Sequence, residues 1–308
     1  MFITELLLVG LGLSLLASWM PLTLYVFALM LFGLPHVLWE FNWVRQTYGA
    51  QFPSNLWWSW GIILGLQASV RFAVWLGWLN ADLSLYADII SLFALFSVVV
   101  FSVIRAQTRL PVLRLSLLLT IGLALIAALS TGQLVAVLVL LAIAHNFTPV
   151  LLVPTQQRFA QLPSRRVLLG LFSLPLCIIG LSLLLPLPTA PSDLWMPSEA
   201  KWLQQHAPQW ANGLLSAVIL AQCLHYYSVL RLMPSTLNNQ THLTFAGFAW
   251  HYWALAASLL LSLYFIYDFT QARQLYAVAA GIHAWLEWPL IALLLILPTQ
   301  RLALNTAQ

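Results

Sequence analysis

The chain has 308 residues, 62% of them hydrophobic and only 6% charged. Its mean hydropathy is +0.90, whereas soluble domains hold roughly 45–50% apolar and about 25% charged residues. That balance excludes a soluble globular domain of ordinary size and predicts an all-α, polytopic helical bundle forming one transmembrane domain over residues 1–308.

Apolar stretches of about 20 residues, enough to cross roughly 30 Å of hydrocarbon, are predicted at 2–19, 21–44, 56–79, 83–104, 112–130, 132–153, 167–187, 209–233, 245–267 and 272–298. The first lacks the basic region and small-residue cleavage site of a secretory signal, so a retained helix is expected. Pro21, the Asn80–Asp82 stretch and Gly132 mark tight turns, and one long polar loop begins at Pro188. "GIILG" from Gly61 has the GxxxG spacing that lets helices approach closely. Arg71 and Asp88, on neighbouring segments, are expected to form a structural ion pair. Cys177 and Cys223 lie in apolar segments without metal or disulfide spacing and read as packing residues.

The formal charge of +4 comes mostly from arginines between segments, which speaks for membrane orientation and against nucleic-acid binding. With both termini cytoplasmic, the inner loops receive Arg45, then Arg105, Arg109 and Arg114, then Arg158, Arg165 and Arg166, then Arg231, and finally Arg301. The outer loops keep Lys201 and Arg273 beside Asp82, Asp193, Glu199 and Asp268. An odd number of spans would break this alternation.

Histidines recur at one predicted depth. His36, His145 and His225 each fall about eight residues before the inner end of their segments, roughly 12 Å from the cytoplasmic boundary. His251 sits about six residues from the inner end of an oppositely running helix. His283 lies near mid-membrane, with Glu287 one turn nearer the cytoplasm. Only His206 and His242 fall in loops.

An ionisable residue inside a membrane is costly and marks a functional site by default. Neutral imidazole is the commonest metal-binding side chain, and several in an apolar cavity suit iron, copper or zinc. In the HxxxE pairs His36/Glu40 and His283/Glu287, each carboxylate shares a helix face with its histidine. It can then bind metal or accept the N–H of a ligand histidine. Asn146, Thr148, Gln222, Tyr226, Tyr227 and Tyr252 flank these positions, as do Trp39, Trp43, Trp250, Trp253, Trp285 and Trp288. Structural roles are open to all of them.

"GLPHVLWE", from Gly33 to Glu40, resembles the first histidine motif of the bacterial Brp/Blh-type β-carotene 15,15'-dioxygenases. That motif has glycine, an aliphatic residue, Pro-His, and an acidic residue four positions after the histidine. Gly33, Leu34, Pro35, His36 and Glu40 match, with glutamate for the usual aspartate. Val37 replaces the usual following glycine, and "CLHYYSVLR" holds one histidine where a later HxxxH belongs. The resemblance implies a bacterial inner-membrane helical fold with non-haem Fe2+, dioxygen as co-substrate, and cleavage of a carotenoid to retinal-type aldehydes. Only His36 carries over as a ligand by motif.

The resulting expectation is a membrane oxygenase acting on a lipophilic polyene or isoprenoid that enters from the bilayer lipids. His36, His145, His225 and His283 hold the metal, His251 stands in reserve, and Glu40 and Glu287 orient ligands. A dinuclear lipid hydroxylase or desaturase, a single-haem electron carrier and a proton-coupled transporter remain open alternatives.

Overall fold

The computed structural model describes residues 2–105, 130, 133–152, 165–185, 201, 204–205, 207–234 and 249–296. Every regular element among them is helical. Backbone N–H and C=O groups in an apolar surrounding must find partners within their own segment, and a helix supplies them. The chain order is α1 (Phe2–Trp19), α2 (Pro21–Tyr48), α3 (Ser54–Trp75), α4 (Asp82–Arg105), α5 (Leu134–His145), α6 (Pro149–Leu152), α7 (Arg165–Ser182), α8 (Pro208–Tyr227), α9 (Ala249–Tyr267) and α10 (Phe269–Ile296). A π-helical turn, Ser228–Leu232, continues α8.

Among the described residues, Pro21–Tyr48, Asp82–Arg105, Pro208–Leu232 and Phe269–Leu294 are long and apolar enough to cross a membrane. Shorter apolar helices cover Thr4–Trp19, Val135–His145, Arg166–Ser182 and Tyr252–Tyr267. Polarity is inverted relative to a water-soluble fold: Leu8, Leu11, Ile62, Ile90 and Leu260 are exposed, while His36, Glu40, Asp88, His225 and Glu287 are buried. So extensive an apolar surface on apolar helices points to a membrane protein. The predicted span at 112–130 lies outside the described residues except for Ser130, as do His206, His242 and Arg301.

Two boundaries differ from those predicted. The 132–153 segment is not one helix: α5 stops at His145, and the turn Asn146–Thr148 separates it from α6. Pro149 explains the break, because it has no N–H to extend the ladder and disfavours helical backbone at Thr148. It opens α6 instead. The 56–79 segment stops at Trp75, where Gly77 takes φ +74. Trp78 N–H then donates to Ala73 O and Gly77 N–H to Val74 O, each at 2.9 Å, a glycine-terminated closure of the last helical turn.

One unit comprises Met1–Glu40 and Asn146–Ala272. Here α8 packs on α7 and α1. Gly10 permits the approach of α1 to α7, since an added Cβ would meet Leu171 Cδ1 at 2.9 Å. Ala28, Ile219, Cys223 and Tyr226 form a buried cluster joined by Leu13, Leu24, Tyr25 and Leu215. Glu5 on α1 accepts hydrogen bonds from Tyr227 Oη and Arg231 Nε, both at 3.0 Å. Cys177 is exposed, Cys223 is buried, and both are free thiols.

The other unit comprises Phe41–His145 and Arg273–Gln308. Its α3 packs on α4 through a buried stripe of Leu56, Trp60, Leu64 and Gln67, spaced as one helix face. The expected Arg71 and Asp88 ion pair is present. Arg71 Nε donates to Asp88 Oδ1 at 2.8 Å, its Nη2 engages Oδ2, and Gln67 Nε2 donates to Oδ1 at 2.6 Å. Arg71 Nη1 also donates to the Ala277 carbonyl of α10 at 3.3 Å. Among the described residues, a Cβ at Gly61 or Gly65 would meet nothing within 4 Å, so no described helix packs against the GxxxG face.

Candidate metal-ligand clusters

Within the first unit, α2 supplies His36 and Glu40, and α8 supplies His225. His36 is 1%, Glu40 1% and His225 0% exposed. The Glu40 carboxylate faces His225 across the two helices, with Oε2 3.4 Å from Nε2. The imidazoles of His36 and His225 meet edge to face with centroids 5.4 Å apart, and their potential ligand nitrogens come within 4.8 Å. His36 donates its Nδ1–H to the Phe32 carbonyl one turn back, at 3.0 Å. In that tautomer its lone pair is on Nε2.

The HxxxE spacing of α2 does not by itself name the partner of its carboxylate. The spacing does put the two on one face, but the His36 N–H goes to its own backbone and the carboxylate addresses a histidine of another helix. Pro35 lies inside α2 and lacks the N–H that the Leu31 carbonyl would otherwise accept, so the ladder is already loosened where His36 stands.

Within the second unit, α5 supplies His145 and α10 supplies His283 and Glu287. His145 is the last residue of its helix, not the mid-helix residue the predicted segment implied. The Pro149 break places it there, with an imidazole at a helix C-terminus. His145 donates Nδ1–H to Glu287 Oε2 at 2.6 Å, and its ring meets that of His283 with centroids 4.7 Å apart and planes at 79°. All three are buried. Here too the HxxxE spacing sets a carboxylate beside a histidine, but the partner is on the neighbouring helix. A carboxylate that accepts Nδ1–H fixes the ring, leaves the lone pair on Nε2 and raises its basicity.

Each unit therefore buries two imidazoles with one carboxylate. Buried neutral imidazoles that can offer a ring nitrogen suit iron, copper or zinc, so the residue types present fit a metal of the kind expected from the sequence. His251 lies on α9, and its side chain falls outside the described residues. Asn146 and Thr148 are buried. Gln222 Nε2 donates to Tyr226 Oη at 2.6 Å, whereas Tyr252 points outward at 58% exposure. Trp43 and Trp285 are buried, whereas Trp253 is 72% exposed. Sequence reasoning missed the stack of Tyr226 on His36, with ring centroids 4.0 Å apart and planes at 29°; adjacency to His225 was its one signal. No family model, curated protein or solved structure matches the chain.

Proposed function

We propose that the protein is a membrane-embedded, metal-dependent oxygenase of a lipophilic polyene or isoprenoid, with carotenoid cleavage to retinal-type aldehydes as the specific form. The carrying observation is the burial of a two-histidine, one-glutamate set in each unit, with the 2.6 Å bond from His145 to Glu287. A carboxylate that accepts the N–H of a neutral imidazole leaves the ring's other nitrogen and its lone pair for a metal ion. His36 and His225, and His145 and His283, are the proposed ligands, with His251 in reserve. Bound iron would supply dioxygen binding and activation.

The chain's own residues do the rest. Glu287 holds the His145 ring in its Nδ1–H tautomer, and the Phe32 carbonyl does the same for His36. Glu40 places its carboxylate beside His225, with Oε2 3.4 Å from Nε2. The exposed apolar helix faces let an oily substrate approach from the bilayer, and buried apolar surroundings exclude water from reactive intermediates. The proposed topology is about ten spans, with both termini and the histidine layer on the cytoplasmic side of the inner membrane.

Elemental analysis of detergent-purified protein, with an optical spectrum and the variants His36→Ala and His145→Ala, tests this. Iron bound by the wild type, reduced in each variant and without a haem band, is the expected result. The repeated two-His-one-Glu composition favours a dinuclear hydroxylase or desaturase as the second reading, and two metal ions per chain would select it. A folded, metal-free wild type would exclude both and leave a proton-relay transporter.

A further inference from the structure

Tyr226 is 4% exposed and belongs to the cluster of Ala28, Ile219 and Cys223, where a phenylalanine or leucine would fill the same space. Its ring is not placed as filler. It lies face-on against the His36 imidazole, with centroids 4.0 Å apart and planes inclined by 29°. Its hydroxyl is fixed by Gln222, one turn earlier on α8, through a 2.6 Å bond from Nε2.

The same helix approaches the same imidazole twice. Adjacent residues on an α-helix diverge by about 100°, so His225 and Tyr226 reach His36 from different sides, one edge to face and one stacked. With Nδ1–H held by the Phe32 carbonyl, rotation of the His36 ring is blocked at one nitrogen and on one face. The Gln222 bond in turn locks the plane of the stacking phenol. The π-helical turn that follows at Ser228–Leu232 adds a residue per turn and changes the register of α8 after His225 and Tyr226. Turns of this kind recur at functional sites.

We infer that Tyr226, held by Gln222, is a positioning residue for His36, whose phenol ring fixes the plane in which the imidazole offers Nε2 to a metal. The inference rests on the metal-binding reading above and deepens it. Tyr226 itself donates no ligand atom in this role.

The test uses full-length protein in detergent, with Co2+ as the probe, its visible ligand-field spectrum and its affinity by chelator competition. Tyr226→Leu removes the ring, Tyr226→Phe keeps the ring and removes the hydroxyl, and Ile219→Ala disturbs the same packing cluster without touching His36. Tyr226→Leu is expected to bind Co2+ about tenfold more weakly, the scale typical of groups that orient a metal ligand, and to shift the spectrum. Tyr226→Phe is expected to change both much less, and Ile219→Ala to lower the unfolding temperature without moving the spectrum. Should Tyr226→Leu fail to fold, Tyr226→Met fills the space without an aromatic face and carries the same expectation. A wild type that binds no Co2+ would defeat the metal reading itself. Wild-type affinity and spectrum in a folded variant lacking the ring would overturn the positioning role alone, as would a spectral shift in Ile219→Ala equal to that in Tyr226→Leu.

Discussion

At His36 and His145 the N–H end of the imidazole is the end held by an oxygen of the protein, a backbone carbonyl in one case and a carboxylate in the other. Because a neutral ring has one N–H and one lone pair, each bond decides which nitrogen can serve a metal. Glu287 is the more informative of the two, since its charge can be removed while its shape is kept. Glu287→Gln retains an oxygen that can accept from Nδ1–H but loses the charge assistance. Glu287→Ala loses both. Metal affinity measured by chelator competition is expected to fall toward the low end of the roughly 10–100-fold range for Gln and toward the high end for Ala. Equal affinity in all three proteins would deny Glu287 any part in holding the metal. The residue types and their burial were legible in the sequence, because polar groups in apolar runs stand out. Their partners were not: an HxxxE spacing says which face of its own helix a carboxylate occupies, but nothing about which helix lies opposite.

Helices were legible where apolar runs were long, and their ends were not where one residue overrode the run. Pro149 cuts a continuous apolar stretch after His145, and Gly77 closes α3 before the stretch is exhausted. Hydropathy averages over a window and does not register a single missing N–H or a single positive φ. The α3–α4 pair shows the opposite case, in which two isolated charges in apolar segments named each other correctly. The Arg71 and Asp88 side chains are 22% and 9% exposed, buried enough that removing one partner leaves the other uncompensated. Asp88→Leu or Arg71→Met alone is expected to cost about 3–5 kcal/mol of stability, whereas the two together cost less than either single change. Unfolding midpoints of the four proteins in one detergent would show the coupling. Strictly additive losses would mean that the pair contributes nothing beyond packing.

The orientation of the whole molecule hangs on charges at helix ends, and α3 is where they can be tested most directly. Arg45 lies in the last turn of α2, Asp82 opens α4, and Arg105 closes it. If basic residues stay cytoplasmic, the chain enters α3 from the inside and leaves it on the outside. Twenty-two residues rise about 33 Å, the length of a crossing of roughly 30 Å of hydrocarbon, although α3 is not among the four described helices apolar enough to span by composition. Ser54 and Ala81 flank that crossing and are exposed, so each can report on its own side. The background needs Cys177→Ser and Cys223→Ala, because both native thiols are free. In that background, a membrane-impermeant maleimide is expected to label Ala81→Cys in right-side-out vesicles and Ser54→Cys only in inverted ones. The reverse pattern would put Arg45 and Arg105 outside and overturn the proposed cytoplasmic termini. Labelling of both from one side would mean that α3 does not cross, and the proposed even count of spans would fail.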